Sequence, residues 1–281
     1  MRQVRMLVAV DIGNTNIVTG FLDTPSEGKA PAVQKHAPAR QIINTYRMAT
    51  HISRTGDEYG IVLLQFLALS SYKPSDVEGV IISSVVPQIM HSFRAGIIKF
   101  LGRSPVIVGP GVKTGINVKM DDPKSMGADC LADCVAAYHL YSRPVLVIDI
   151  GTATTYNIVD PQGSIIMGAI SPGLQASAHA LAGDTAQLPN VEITRPDTIL
   201  AKNTSDAIRA GLYYTFLGGL GHIVSRCREE YSEDLTVIMT GGLGHVVEED
   251  ARRSGLIDIY DPDLIFKGMD IIYTRTAQGR K

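Results

Sequence analysis

An internal repeat constrains the fold of this chain more than any other feature of its sequence. The segment LVAVDIGNTNIVTGFLD (residues 7–23) recurs as VLVIDIGTATTYNIVD (residues 145–160). Each copy predicts an apolar strand that ends in Asp-Ile-Gly, a Thr-rich tight turn and a second strand. One short match could arise by chance, whereas a match separated by half the chain predicts two copies of one supersecondary unit.

The chain is long enough and apolar enough to form two domains. Its 281 residues exceed one typical domain, and a hydrophobic content of 45% can bury a sizeable core. We expect one domain over residues 1–125 and a second over residues 126–281, each with one copy of the repeat. Strands alternate with helices, so the predicted class is α/β, with sheets that are parallel or mixed.

Charge and composition exclude several classes of partner and location. A net charge of -2 provides no global field that would hold nucleic acid or an anionic membrane surface. The apolar run at residues 6–10 is too short for a signal-peptide core, and other runs fall far below the roughly 20 residues that span a bilayer. The three cysteines are too few for a disulfide framework. We therefore expect a cytoplasmic protein that binds neither nucleic acid nor membranes.

Other segments predict the elements around the repeat. The sequence TGDE at residues 55–58 has the spacing of a capping box before an apolar helix. A long helix is predicted over residues 206–228, and Gly218, Gly219 and Gly221 in its middle indicate close packing or a break. Residues 25–41 lack periodicity and predict an exposed connection. The glycines of GPGVKTG (residues 109–115) permit close approach of the backbone to a ligand.

The Asp-Ile-Gly turns have the residue types that bind a triphosphate. Glycine removes the Cβ that would block an oxygen, turn amides point at the anion, and Asn or Thr side chains add donors. A carboxylate and a phosphate repel each other, so Asp11 should act through Mg²⁺ or water. We expect the phosphates to lie beside Gly13, Asn14, Thr15 and Asn16.

The alternative explanation is that each Asp-Ile-Gly only forms a hairpin turn. Two copies make this less plausible, and a third glycine turn at residues 240–244 (TGGLG) weakens it further. That turn follows a predicted strand, where α/β sheets place ligands, and its backbone could lie against a nucleoside.

Phosphoryl transfer also needs a carboxylate or another base near the acceptor hydroxyl. Asp129, at the start of a predicted helix, is the candidate. On local sequence alone, capping of that helix explains Asp129 better. Cys130 and Cys134 are four residues apart, but no further Cys or His lies nearby, so small core residues are the favoured interpretation. The absence of a G-x-S-x-G elbow disfavours a serine hydrolase.

The order and spacing of the motifs resemble one family. From residue 7 to about residue 273 the chain contains DIGNTN, SSVVP, GPGVKTG, GAD, DIGTATT, SPGL, LP and KNT, TGG and DPDLIFKG. This series is similar to that of the type III pantothenate kinases, in the superfamily of actin, hexokinase and Hsp70. The resemblance implies duplicated actin-like, ribonuclease H-like domains with a nucleotide cleft between them. It also implies ATP-dependent phosphorylation of pantothenate to 4'-phosphopantothenate, the first step of coenzyme A biosynthesis.

The resemblance also implies a role for each matching residue. The first phosphate loop would comprise Asp11, Ile12, Gly13, Asn14, Thr15, Asn16, Ile17 and Val18, and Thr152 would contact ATP. Asp129 would be the base, with Gly127, Ala128, Cys130 and Thr204 at the pantothenate site. Asp149 would bind a monovalent cation, K⁺ or NH₄⁺. The family forms homodimers whose interface helps to build the substrate and cation sites, so we expect a homodimer.

Three positions depart from the family pattern. Cys130 stands where the family has Arg, Asp133 where it usually has Asn, and Ala169 where it usually has a second Gly before Ser-Pro-Gly. Loss of a bidentate cation and gain of an anion in one helix should weaken binding of pantothenate, which is itself a carboxylate.

These departures leave alternatives open. The second hypothesis is a diverged ATP-binding relative that is inactive, regulatory or active on another small hydroxyl compound. A superfamily sugar kinase is a third, which the pantothenate-type loop and Thr204 disfavour.

Overall fold

The computed structural model describes residues 6–23, 40–141, 143–183, 187–231 and 234–278. The connection predicted at residues 25–41 lies almost wholly outside these ranges. None of the helices within them combines the length and apolar character needed to cross a bilayer.

Strands and helices alternate along the described chain. The strands are β1 (Met6–Ile12), β2 (Asn16–Asp23), β3 (Gln41–Ala49), β4 (Val77–Ser84), β5 (Val106–Ile107), β6 (Asn117–Val118), β7 (Val145–Ile150), β8 (Ala153–Val159), β9 (Ser164–Pro172), β10 (Thr236–Thr240) and β11 (Ile259–Tyr260). The helices are α1 (Gly56–Leu69), α2 (Pro87–Leu101), α3 (Ala128–Leu140), α4 (Leu174–Gly183), α5 (Thr204–Tyr231), α6 (Gly244–Arg253) and α7 (Leu264–Gln278). Short 3-10 turns occur at Pro74–Asp76 and Pro123–Ser125.

The two sheets have the same strand order and directions. The first runs β3-β2-β1-β4-β5, and the second runs β9-β8-β7-β10-β11 with β6 added beside β9. In each sheet, three strands form an antiparallel meander. The first strand of the meander also pairs in parallel with β4 or β10, which in turn pairs in parallel with β5 or β11. The duplication therefore extends from the repeated hairpin to five strands, and the predicted mixed sheets are confirmed.

The register gives the two repeated aspartates equivalent places. Asp11 on β1 pairs with Ser83 on β4, and Asp149 on β7 pairs with Thr240 on β10. The residues flanking Asp11 belong to the apolar core, as do those flanking Asp149. Because successive side chains of a strand point to opposite faces, each carboxylate lies on the face away from that core.

Apolar packing anchors the first sheet. One face contributes Val8 and Val10 to a core that also contains Leu63 of α1 and Phe93 and Ile97 of α2. These side chains are almost fully buried, and each contributes about 1.5–3 kcal/mol of hydrophobic free energy.

The predicted capping box at the start of α1 is confirmed. Thr55 Oγ1 accepts from the Glu58 N–H at 3.3 Å, and Glu58 Oε2 accepts from the Thr55 N–H at 2.7 Å. The hydrogen bond from the Thr55 backbone lowers the pKa of Glu58.

The long helix α5 is continuous through its glycines. Asn203 Oδ1 accepts from the Asp206 N–H at 2.9 Å and caps the helix. A Cβ on Gly218 would meet nothing within 4 Å, whereas one on Gly221 would lie 3.2 Å from Leu256. Of the two predicted explanations, close packing therefore applies at Gly221 and a break does not occur.

The chain divides into compact units at different points from the predicted boundary after residue 125. Among the described residues, the first unit contains those up to Asn117, those of Asp121–Leu140 and those from Leu264 onward, and the second contains Val118–Met120 and those of Tyr141–Asp263. The cause lies in α3 and α7, which pack together within the first unit. A Cβ at Gly268 of α7 would lie 1.9 Å from the carbonyl oxygen of Ala132. Only glycine permits this approach, which attaches the C-terminal helix to the first unit.

We expect Gly268→Ala to destabilise the first unit by about 1–3 kcal/mol, because the added methyl must separate α3 from α7. Urea denaturation measures the change. Gly218→Ala is the matched control, since its methyl points into open space in a helix and should stabilise by about 0.5–1 kcal/mol. An unfolding midpoint in Gly268→Ala equal to that of the unmodified chain would contradict the close packing of α3 on α7.

Candidate active site

The first Asp-Ile-Gly turn is held by backbone bonds and by one threonine. The Gly13 N–H donates to the Asn16 carbonyl at 3.0 Å. Thr50, the residue after β3, donates its N–H to the Thr15 carbonyl at 3.0 Å and its hydroxyl to the Gly13 carbonyl at 2.7 Å. Asn14 and Thr15 are exposed at the tip. The turn therefore presents polar groups to solvent while its backbone is fixed from β3.

The second turn is one residue shorter. β1 and β2 close at Ile12 and Ile17, whereas β7 and β8 close at Ile150 and Thr154. The Gly173 N–H, directly after β9, donates to the Thr152 carbonyl at 3.1 Å.

Glycine is required at the residue after β9. A Cβ at Gly173 would lie 2.2 Å from the Gly151 carbonyl oxygen and 2.6 Å from that of Thr152. The second turn is therefore held from the same side as the first, by close backbone contact in place of a hydroxyl.

The glycine turn after β10 lies against Asp149. Gly241 has φ +96°, a conformation that favours glycine, and a Cβ there would lie 2.4 Å from Asp149 Oδ1. The same Cβ would lie 2.6 Å from the carbonyl oxygen of Ile150. Gly241 therefore packs directly against a carboxylate oxygen and a carbonyl oxygen, where a residue with a Cβ would not fit. Oxygen ligands of this kind suit hard cations.

Asp129 lies at the start of α3 with one carboxylate oxygen already engaged. Its Oδ1 accepts from the Cys130 N–H at 2.7 Å. A Cβ at Gly127 would lie 2.3 Å from that oxygen, so glycine makes room for the carboxylate. Asp129 therefore interacts with the start of the helix, as the capping explanation predicts, and its orientation is fixed at the same time.

The two substituted positions of α3 have different surroundings. Cys130 is half-buried, whereas Asp133 is only 2% exposed. Only Cys130 therefore offers appreciable surface to a ligand. Cys134 is fully buried, as predicted for a small core residue, and burial raises the pKa of its thiol well above the usual value.

Thr204 lies on an apolar groove in the second unit. The groove has a volume of about 670 Å³ and runs between α4 and α5. Its lining combines hydroxyl and apolar side chains, among them Tyr156, Ser171, Leu181, Thr204 and Phe216.

An ion-pair cluster that sequence patterns did not reveal fixes the segment before Thr204. Arg195 donates from Nε and Nη2 to the two carboxylate oxygens of Asp250 on α6, each at 2.9 Å. Tyr213 of α5 donates its hydroxyl to Asp250 Oδ2 at 2.6 Å. That hydrogen bond, followed by Arg195, lowers the pKa of Asp250. Burial and the nearby Asp250 raise the pKa of Tyr213. Arg195 and Asp250 lie 55 positions apart in the chain, so no local sequence motif includes both of them.

We expect Asp250→Asn to lower the free energy of unfolding at pH 7 by about 1–3 kcal/mol, because it removes charge-assisted hydrogen bonds. The folded pKa of Asp250 lies below the unfolded value of about 4. Its stabilisation is therefore present above pH 4 and is lost as the pH falls through the folded pKa. Urea titrations from pH 7 to pH 3 should show the two proteins converging.

Glu249→Gln is the control for this prediction. Glu249 pairs with the same Arg195 but its side chain is 70% exposed, so its loss should cost less than about 1 kcal/mol. A stability difference for Asp250→Asn that does not shrink below pH 4 would exclude the ionised Asp250 as its source.

Comparisons with known proteins agree with this geometry. A type III pantothenate kinase of Bifidobacterium longum (strain DJO10A) is 57% identical over 274 residues, which cover 97% of this chain and 100% of that protein. A putative Baf family transcriptional activator of Campylobacter jejuni has a similar structure, with a TM-score of 0.55, 18% identity, and coverage of 96% of this chain and 99% of that one.

The activator of 2-hydroxyisocaproyl-CoA dehydratase from Clostridium difficile, solved with bound ADPNP, has a TM-score of 0.51 and 10% identity. Coverage is 98% of this chain and 97% of that one. These structural likenesses show the fold alone, and they confirm the predicted duplicated actin-like α/β class. The sequence model of the type III pantothenate kinase family matches residues 7–226. With this match and the identity to the B. longum enzyme, the chain belongs to the type III pantothenate kinase family.

Proposed function

We propose that the protein transfers a phosphoryl group from ATP to pantothenate in the cytoplasm, giving 4'-phosphopantothenate for coenzyme A synthesis. Family membership supports the reaction. The observation that carries the proposal is the pair of Asp-Ile-Gly turns at equivalent places in two duplicated sheets. Each turn is held by the residue that follows the third strand of its sheet. Such fixed turns can hold phosphate oxygens without rearranging.

The nucleotide is assigned to these turns. The first turn, residues 11–18, and Thr152 of the second bind the phosphates through backbone N–H groups and through Asn and Thr side chains. Asp11 would hold Mg²⁺ through water. This assignment suits Mg²⁺, because the ion usually keeps several waters and takes one or two carboxylates plus substrate phosphates. Mg²⁺ would neutralise charge on the phosphates.

A monovalent cation, K⁺ or NH₄⁺, is assigned to Asp149. The Asp149 carboxylate would provide oxygen ligands for it, and the close packing of Gly241 holds that carboxylate in place. The cation would offset negative charge near the phosphates.

Asp129 is assigned as the base for the hydroxyl of pantothenate. Oδ1 is engaged by the Cys130 N–H, so Oδ2 is the oxygen that orients and deprotonates the acceptor. Gly127, Ala128 and Cys130 border this carboxylate and line the acceptor site.

Thr204 contributes a hydroxyl to pantothenate in a homodimer whose interface helps to build the substrate and cation sites. Apolar surface near Thr204 supports an interface, because Leu200 is 78% exposed and Ile199 is 58% exposed. Exposed apolar surface of this kind marks association sites when it is contiguous.

Cys130 supports one second candidate. A relative that binds ATP but is inactive, regulatory or selective for another small hydroxyl compound would not need the arginine that the family places there.

The first test is to incubate the purified protein with Mg·ATP, K⁺ and pantothenate and to detect 4'-phosphopantothenate by mass spectrometry. We expect product, and Asp129→Asn should lower kcat about 10²- to 10⁴-fold with little change in ATP affinity, because the base is lost. The exposed Asp121→Asn is the control and should retain activity. Unchanged turnover in Asp129→Asn would eliminate the proposed base. No product with ATP binding intact would favour the second candidate.

Cys130→Arg tests recognition of the acceptor. The guanidinium should lower the KM for pantothenate, because it can pair with the pantothenate carboxylate, while the KM for ATP changes little. Steady-state kinetics with each substrate varied in turn measures both constants. An unchanged KM for pantothenate would mean that another group holds its carboxylate.

A further inference from the structure

We propose that Thr50 is a positioning residue for the nucleotide, although it lies outside both Asp-Ile-Gly motifs. Its hydroxyl holds the peptide between Gly13 and Asn14 so that the Asn14 N–H faces the phosphates. This inference rests on the assignment of ATP phosphates to the first turn. Thr50 itself is half-buried at the end of β3 and acts through the backbone of the turn.

Peptide geometry links the two groups. The only cis peptide bond in the described part of the chain precedes Pro144, so the peptide joining Gly13 to Asn14 is trans. In a planar trans peptide the C=O and N–H bonds point in opposite directions. Because the Gly13 carbonyl points at the Thr50 hydroxyl, 2.7 Å away, the Asn14 N–H points away from Thr50.

The first turn needs this restraint because Gly13 gives its backbone additional conformational freedom. Gly13 has no Cβ, and its backbone dihedral angles are less restricted than those of other residues. The Thr50 N–H holds the next carbonyl but one, that of Thr15, at 3.0 Å. The Thr50 hydroxyl therefore restrains a second peptide of the turn, which this backbone bond does not reach. Without it, the Gly13 carbonyl could rotate toward the phosphates, where its negative end would repel them.

The second unit shares the backbone bond of this arrangement, and the hydroxyl bond of Thr50 is an addition in the first. Gly173 follows β9 as Thr50 follows β3, and its N–H holds the Thr152 carbonyl at 3.1 Å. The N–H of Ala153 must therefore point away from Gly173. Each duplicated sheet thus fixes one peptide of its turn from the residue after its third strand.

The test uses Thr50→Val, which keeps the branched shape and the backbone N–H and removes only the hydroxyl. We expect the KM and the dissociation constant for Mg·ATP to rise about tenfold, because the Asn14 N–H is no longer held toward the phosphates and one hydrogen bond of ordinary strength to ATP is lost. The KM for pantothenate should not change, and the free energy of unfolding should fall by no more than about 0.5–1.5 kcal/mol, the contribution of one intramolecular hydrogen bond. Thr50→Ser restores the hydroxyl and should restore ATP affinity. The control is Thr45→Val, an exposed threonine on the same strand, which should leave all four values unchanged.

Asp11→Asn, measured by the same titration calorimetry and kinetics, separates the two levels of the proposal. If it weakens Mg·ATP use while Thr50→Val does not, the role of Thr50 is overturned and the phosphate site stands. If neither variant affects Mg·ATP, the assignment of phosphates to this turn fails and the inference fails with it. Equal losses for ATP and pantothenate in Thr50→Val would show a purely structural role and would also overturn it.

Discussion

The pairing of one central strand on both sides is the constraint on which each unit depends. β1 bonds to an antiparallel hairpin partner on one edge and to a parallel strand on the other, and β7 does the same. A slip of one residue would exchange the two faces of the strand, placing Asp11 in the apolar core and Val10 outside it. Burial of the apolar face therefore fixes where the carboxylate lies. The same register also fixes the position of the Asp-Ile-Gly turn that follows the strand.

Register alone does not determine the conformation of the turns. In the first, a four-residue connection exposes Asn14 and Thr15 and is secured by a threonine side chain. In the second, the connection is shorter and Gly173 contacts it through backbone atoms, while Gly241 abuts Asp149. The exposed amide and hydroxyl groups of the first turn suit an anion. The carboxylate and carbonyl oxygens beside the second suit a cation. The two units thus share one arrangement of strands. Differences in turn length and in the positions of glycines make their two turns chemically different.

The sequence predicted what local chemistry controls. Short sequence patterns predict the repeated hairpins, the capping box at Thr55 and the long helix at residues 206–228. The structure contains all three. The division into units did not follow, because it depends on Gly268 meeting the backbone of Ala132, far away in the chain. Gly268 ends the DPDLIFKG segment, but that motif does not indicate which distant residue the glycine contacts. The third strands, β3 and β9, have no recognisable sequence similarity, since backbone pairing needs only alternation and hydrogen bonding.

The two departures from the family pattern in α3 have different consequences for a bound ligand. Asp133 is buried in α3 and interacts with neighbouring groups, so its substitution changes the interior of the first unit. Cys130 retains exposed surface beside Asp129, and only there does a missing guanidinium alter what a ligand meets. Yet the group of Cys130 that holds Asp129 is its backbone N–H, which every residue other than proline provides. Exchange of the side chain at this position therefore leaves the orientation of the proposed base unchanged. Its effect should be confined to recognition of the pantothenate carboxylate, because recognition and proton transfer depend on different atoms of the same two residues.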